Sequence, residues 1–411
     1  MNVLYIDIDS LRPDHLGCYG YHRNTSPNID TLAAEGLRFS NCHTPDAPCL
    51  PSRSAMTTGR FGFHTGVVNH GGTRCVMFPY GRERGFDDNW TEPNWASQFK
   101  RNGYHTVAFS PFAERHGAWH WYAGFMEMEP KWMFNKNSNP NIDRLQPKQI
   151  TDMEQARRMF DGYDLGVSYA DLHVGRIVQK LKDLGLYENT AILVSADHGE
   201  NLGELWVYGD HQTADSCTHR IPMIMRWPGV TDDRAGECDN RLHYNIDMAA
   251  TTLELAGPCD LSRWDGRSFA ASLETEQPHR ESLVLSQLAW CAQRSARWDQ
   301  YLCIQTFHDG WHDYPEFMVF DLEADPHEQV NLADSRPDLL AKGKDILAQW
   351  KTDCLETAHV KVDPLDEVMA EGGPFHVRDD GPEYLERLRQ TGRGEVADRL
   401  AANHHVKVSD C

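Results

Sequence analysis

Ala191-Ile192-Leu193-Val194-Ser195-Ala196-Asp197-His198-Gly199 is the stretch that decides the fold. Its first five residues form a run of strand length without polar alternation, the pattern of a strand covered on both faces. The run stops at an acid and a histidine. Val3–Ile8 reads the same way, apolar and β-branched, and runs into Asp9. Further strands are predicted at His105–Phe109 and Pro222–Arg226. Between them lie predicted helices: Pro27–Gly36, Ser54–Thr58, Asn94–Asn102 and Ser168–Leu184. The last carries Leu172, Ile177, Leu181 and Leu184 at helical spacing. Strands alternating with helices predict an α/β fold with a mainly parallel central sheet flanked by helices. In such a sheet ligands collect at the carboxyl ends of the strands. Asp9 and Asp197-His198, far apart in the chain, are therefore expected at one edge.

From about residue 281 the pattern changes. Short strands at Leu283–Leu285, Tyr301–Thr306 and Met318–Phe320 precede a helix near Pro337–Leu355. This predicts a smaller C-terminal antiparallel α+β subdomain, with residues 1–275 as the catalytic domain and 276–411 as the subdomain. Residues 357–411 are polar, with one expected helix at Pro382–Arg389.

The chain has 411 residues, 40% of them hydrophobic and 25% charged, enough for a large core. A net charge of −21 argues against a nucleic-acid partner, because phosphate contacts need basic patches. It leaves room for an anionic substrate in a locally positive pocket. The 11 cysteines show no Cys-x-x-Cys spacing and read as reduced thiols. No charged leader precedes Val3, and no apolar run approaches the roughly 18 residues that span a bilayer. A cytoplasmic protein without a membrane partner is the expectation.

Cys49-Leu50-Pro51-Ser52-Arg53 is the densest chemical signal, followed by Thr58-Gly59-Arg60. A cysteine between Pro48 and Pro51 lies on a turn. Ser52 is expected to cap the helix that follows, which leaves Cys49 near a helix N-terminus, where an anion is favoured. Arg53 adds a forked positive charge. Asp9, Asp197 and His198 are the metal candidates: hard oxygen donors with one imidazole suit Ca²⁺, Mg²⁺ or Mn²⁺ better than zinc.

Cys49-x-Pro51-Ser52-Arg53 followed by Thr58-Gly59 resembles the signature of the sulfatases, within the alkaline-phosphatase-like superfamily. The resemblance extends, in family order, through Asn2–Gly20, Leu186–Gly199, Arg220–Gly229 and Phe320–Leu332. It implies a sulfuric ester hydrolase in which a formylglycine-generating enzyme oxidises Cys49 to formylglycine, so that Cys49 and the metal form one centre with Asp9, Asp197 and His198. Ca²⁺ is the expected ion, with Mg²⁺ or Mn²⁺ as alternatives. The aldehyde hydrate would attack sulfur and expel the alcohol; the remaining hydroxyl would then lose a proton and release sulfate. Arg53 would stabilise the developing negative charge.

Relatives carry two adjacent acids at the first metal position, where this chain has Asp9-Ser10. Asp7, on the same strand face as Asp9, is expected either to supply the missing oxygen or to orient Asp9. His211, 13 residues after His198, is the expected proton donor to the leaving group. The family's Gly-Lys-x-His element is absent; His116 is expected to replace its histidine. Asn69 and His70 are expected substrate contacts. The interval from Gly124-Phe125 to Arg157 is short and lacks the helix and Pro-His-x-Pro strand of relatives. Trp119, Trp121, Tyr122 and Trp132 crowd one segment, and aromatic faces favour a sulfated sugar as substrate. The alternatives are a phosphonate monoester or phosphodiester hydrolase, and a catalytically inactive sugar-binding relative.

Overall fold

The run Thr190–Ser195 is buried along its whole length and pairs in parallel with Asn2–Asp7, Asn2 opposite Thr190 and Asp7 opposite Ser195. The computed structural model describes residues 1–78, 94–110, 112–116, 118–129, 150–273, 278–378 and 381–404. In chain order the strands are β1 (Asn2–Asp7), β2 (Leu37–His43), β3 (Asp46–Ala47), β4 (Val107–Phe109), β5 (Glu127–Glu129), β6 (Thr190–Ser195) and β7 (Asn201–Leu202). They continue as β8 (Tyr208–Asp210), β9 (Arg220–Arg226), β10 (Cys238–Tyr244), β11 (Ser282–Gln287), β12 (Ala292–Trp298), β13 (Tyr301–His308) and β14 (Phe317–Asp321). The central sheet runs β1-β6-β9-β2-β10. Only β9 runs against the other four. The fold is α/β, with this mainly parallel sheet between helices.

One core cluster joins Ile192, Val194 and Met223 of the sheet to Ile29 and Leu32 of helix Pro27–Ala34 and to Val167 and Val174. Another joins Val3 and Tyr5 to Trp95, Phe99, Ala250 and Leu253. The helix predicted at Ser168–Leu184 runs from Met153 to Asp183 instead. Its packed face is also not the expected one. Of the expected residues Leu181 packs on the core, but Leu172, Ile177 and Leu184 are exposed, whereas Asp164 and Asp171 are buried. Both acids have partners that their spacing does not reveal. Asp171 accepts the backbone N–H groups of Asn28 (3.0 Å) and Ile29 (2.8 Å), satisfying the start of a helix whose own Ser26 makes no cap bond. Asp164 takes His15, Tyr21 and Arg23.

The second sheet runs β14-β13-β12-β11-β3. Its four C-terminal strands are antiparallel, and helix Pro337–Thr357 packs on them. Its edge strand β3 comes from the N-terminal half and pairs Asp46 and Ala47 with Ser286 and Gln287. The sequence reading missed β12, the helix Pro364–Ala370 and the helix Gly394–Asn403, and it found Gly381–Gln390. Among the described residues the ten cysteines are free, and no helix is long and apolar enough to cross a membrane.

Candidate active site

β1 and β6 end side by side, and the chain beyond each turns toward the same edge. Asp9 and Asp197 both follow their strand ends by two residues. Ser10, with φ of 59°, aims its N–H at Asp197 Oδ1 (3.2 Å). β3 brings in the third segment, because the helix Cys49–Thr58 starts two residues after it. That helix begins at Cys49 rather than Ser54, and Ser52 does not cap it. The Ser52 hydroxyl donates to the Asp197 carbonyl (2.6 Å) and accepts from Thr44 Oγ1 (2.8 Å). A buried carbonyl at a strand end needs a donor, and this outweighs the capping preference. Thr58-Gly59 closes the helix: Gly59 has φ of 68°, and a Cβ there would lie 2.0 Å from the Trp264 ring. Gly199 is required for a different reason, since its Cβ would meet the Cys217 carbonyl oxygen at 2.0 Å.

Cys49 Sγ lies 3.1 Å from His198 Nε2. His198 Nδ1 sits 2.7 Å from the Gly199 carbonyl, which only accepts, so Nδ1 carries the proton. In the neutral ring the Nε2 lone pair therefore faces Cys49. Ligand atoms of Asp9, Cys49, Asp197 and His198 all lie within 4.8 Å of one another. The four expected residues are thus brought together. Asp197 Oδ2 is buried and faces Arg53 Nη1 at 2.9 Å. Two carboxylates, one imidazole and an oxygen in place of Sγ make a donor set that fits a hard divalent cation. His198 and Asp197 are fully buried, while the Asp9 side chain is 54% exposed and opens the site to solvent.

Arg53 does more than supply charge. Its Nε meets Asp7 (2.8 Å), and its Nη1 meets Asp197 (2.9 Å) and Asp9 (3.2 Å). Asp7 therefore orients Asp9 through Arg53. The Arg53 guanidinium also lies over the Phe112 ring at 4.6 Å. Burial raises the Asp7 pKa to about 6, with Arg53 pulling down and Asp197 pushing up. Burial also works to raise Asp9, but Arg53 and His198 outweigh it and hold that carboxyl well below its usual value. Burial, then Asp197 and Asp9, push the Cys49 thiol well above its ordinary value. An unmodified Cys49 is a protonated thiol and a poor nucleophile.

His211 stacks near His198 with ring centroids 4.2 Å apart and joins Cys49 and His198 in a second close group. Its Nδ1 faces Glu200 and Asp210, each at 3.5 Å. Burial and His198 work to lower its pKa, yet Glu200 and Asp210 leave it raised.

His116 and His70 lie ring to ring at 4.5 Å, one contact farther out, because His116 meets Phe112 at 4.8 Å. Asn69 is fully buried, and its Nδ2 has no partner. The sequence reading missed Trp290 and His376. Trp290 meets His211 edge-on at 5.2 Å and stacks with His376 at 4.3 Å. No local signal marks either residue, since one lies in a hairpin turn and the other in a polar tail.

The aromatic platform is corrected. Trp121 packs against Phe112, Tyr122 and Phe125, and the buried Tyr122 bonds Ser110, so both are packing residues. Trp132 and most of the short interval lie outside the described residues. A cavity of about 760 Å³ elsewhere is lined by Arg234, Arg241, Arg280 and Lys342. Each of these cations is paired with a carboxylate, at 2.8, 2.5, 2.5 and 3.2 Å respectively, so the cavity has little charge to offer an anion.

A family model described as Sulfatase matches residues 1–139 and 133–258. A second, described as N-sulphoglucosamine sulphohydrolase, C-terminal, matches residues 204–351. An ulvan-active sulfatase of Formosa agariphila is 24% identical, over 80% of this chain and 76% of its own length. A solved 2-O GAG sulfatase superposes with a TM-score of 0.68 at 19% identity, covering 86% of this chain and 92% of the other. The phosphonate monoester hydrolase of Silicibacter pomeroyi superposes at 0.66 with 18% identity, covering 88% and 96%, which shows a shared fold.

Proposed function

We propose, because this chain belongs to the sulfatase family of the alkaline-phosphatase-like superfamily and is a sulfuric ester hydrolase, that it removes sulfate from a sulfated carbohydrate using a formylglycine made from Cys49. The observation that carries this reading is the gathering of Cys49, Asp9, Asp197 and His198 within 4.8 Å, from three separate segments. The sulfatase names of relatives that act on ulvan and glycosaminoglycan support a carbohydrate substrate.

Asp9, Asp197 and His198 would hold one divalent ion, Ca²⁺ first, with Mg²⁺ or Mn²⁺ as alternatives. Such an ion supplies Lewis acidity at the sulfate oxygens. A formylglycine hydrate at position 49 would supply a nucleophilic hydroxyl for sulfur and a second hydroxyl for the release of sulfate. The protein's own groups do the rest. The Gly199 carbonyl holds His198 in the tautomer whose Nε2 is free to ligate. Asp7 and Arg53 fix the spacing of Asp9 and Asp197 and place a cation where negative charge grows. Glu200 and Asp210 keep a proton on His211, which gives one to the departing alcohol. Phe112 and Val67 cover the Cys49 side and exclude water. Before conversion the Cys49 thiol stays inert, so a formylglycine-generating enzyme is a required partner.

The test is a desulfation screen on defined sulfated mono- and disaccharides with metal present, beside phosphodiester and phosphonate controls. Intact mass of the Cys49 peptide accompanies it, since conversion lowers that mass by about 18 Da. Sulfate release from the sugars, faster than turnover of the controls, is expected. No release by protein whose Cys49 is converted defeats the reading.

A further inference from the structure

The imidazoles beside the site form a group of their own. His70 lies 4.5 Å from His116, 5.7 Å from His376 and 6.0 Å from Trp290, ring to ring. This group touches the centre from two sides. On one, His116 packs on Phe112, which carries the Arg53 guanidinium on its ring. On the other, Trp290 packs on His211, which packs on His198. His116 thus stands two contacts from the reacting centre, through Phe112 and Arg53, and His70 and His376 stand three, through Trp290, His211 and His198 on the side where the alcohol leaves.

Two features of this group suit an oxyanion. His70 Nε2 is buried and has no hydrogen-bond partner. The adjacent Asn69 is fully buried with Nδ2 unpartnered, a second idle nitrogen. Burial, then His116, His376, His211 and His198, lower the His70 pKa to about 3, so His70 would meet an anion as a neutral N–H donor. Buried polar atoms without partners are costly, and a bound oxyanion would satisfy both.

The wall is also built to stay in place. The His70 loop is held by the C-terminal tail: Thr73 bonds Glu371, Arg74 Nη2 meets Glu367 at 2.6 Å, and a Cβ on Gly71 would lie 2.7 Å from the Phe375 ring. His376 is tied by its backbone N–H to the Ala289 carbonyl, next to Trp290.

We propose that the sugar carries a second anionic group, a carboxylate or a further sulfate, seated among Asn69, His70, His116 and His376 beside Trp290. This rests on the sulfatase reading and adds to it: the preferred substrate is doubly charged, and the tail that no local pattern marks selects it.

The experiment compares three sugars: a neutral monosulfated one, one with a second sulfate, and a monosulfated one bearing a uronate. Both doubly charged sugars, or one of them, are expected to exceed the neutral one about tenfold in kcat/KM, and which does so distinguishes sulfate from carboxylate. His376→Ala should collapse that ratio about tenfold, and His376→Asn, which keeps a donor, should restore part of it. Calorimetric affinities for the same sugars are measured in parallel. Equal kcat/KM for all three sugars, or an unchanged ratio in His376→Ala, overturns the inference and leaves the sulfatase reading standing. If converted protein releases sulfate from none, the sulfatase reading falls. Affinity then decides the inference: a tenfold preference for doubly charged sugars that His376→Ala removes upholds it, and equal affinities overturn it.

Discussion

The cradle around Cys49 and the histidine wall beside Trp290 are neighbours built on opposite principles. The cradle hangs from two strand ends and a helix start, and its side chains are tied by short bonds to one another and to the backbone: Arg53 to three acids, Ser52 to the Asp197 carbonyl, His198 to the Gly199 carbonyl. The wall is made of a loop, a hairpin turn and a polar tail; its rings meet at 4.3–5.7 Å, and His70 Nε2 and Asn69 Nδ2 have no hydrogen-bond partner. Rigid strand ends hold reacting atoms to the fine tolerance that bond making needs. Loops on a firm support vary more freely, which suits recognition of the part of a substrate that does not react. Chemistry and selectivity are thus carried by separate parts of the chain.

Cys49→Ala breaks the cradle outright. Sulfate release is expected to fall at least about 10⁴-fold on every sugar, because no neighbouring group replaces the nucleophile. A variant retaining a tenth of the activity sinks the assignment. Chelation of the metal, or Asp197→Ala, should cost about 10²- to 10⁴-fold. After chelation, titration with Ca²⁺, Mg²⁺ or Mn²⁺ should restore the rate, and recovery with none of them removes the ion from the account.

His211 stands between the two regions. His211→Asn should lower kcat about 10²- to 10³-fold on sugars, whose alcohols leave poorly, and far less on an aryl sulfate with a good leaving group. The proton donor works protonated, and the His211 pKa is raised because Glu200 and Asp210 outweigh burial and His198. The wild-type rate should therefore persist above the ordinary histidine range and fall as pH rises through that raised value. The variant should lack this alkaline limb. An identical pH profile removes His211 from proton transfer.

The smallest effects separate the two regions by stability. Ser52→Ala, which leaves the buried Asp197 carbonyl without its donor, should cost about 1–2 kcal/mol in denaturant unfolding. Thr73→Ala, which removes an exposed bond from the wall's support, should stay within about 0.5 kcal/mol. Equal costs would mean that the wall is as firmly built as the cradle.

Much of the cradle was legible from sequence because strands advertise themselves. Val3–Ile6 and Ala191–Val194 are unbroken apolar runs in paired strands, and the acids just past the two strand ends must fall on one edge. Cys49, Pro51 and Ser52 were equally visible, yet the task of Ser52 was misread, because capping is a local rule and the orphaned carbonyl it serves lies 145 residues away. The long helix Met153–Asp183 was misread for a similar reason: its buried Asp164 and Asp171 have partners near residues 15–29, and without them an apolar stripe seemed the only face to bury.

What the sequence determined by itself is the α/β sheet, the order of its motifs and the donor types at the strand ends, since these depend on residue periods of two and 3.6 and on side-chain chemistry. What only the tertiary structure decided is which distant residues share the site. β3 joins the sheet of the C-terminal half immediately before Cys49, and that pairing carries Trp290 and His376 to the wall. Pairing across some 240 residues rests on shape and register, which leave no mark in the local pattern of either partner.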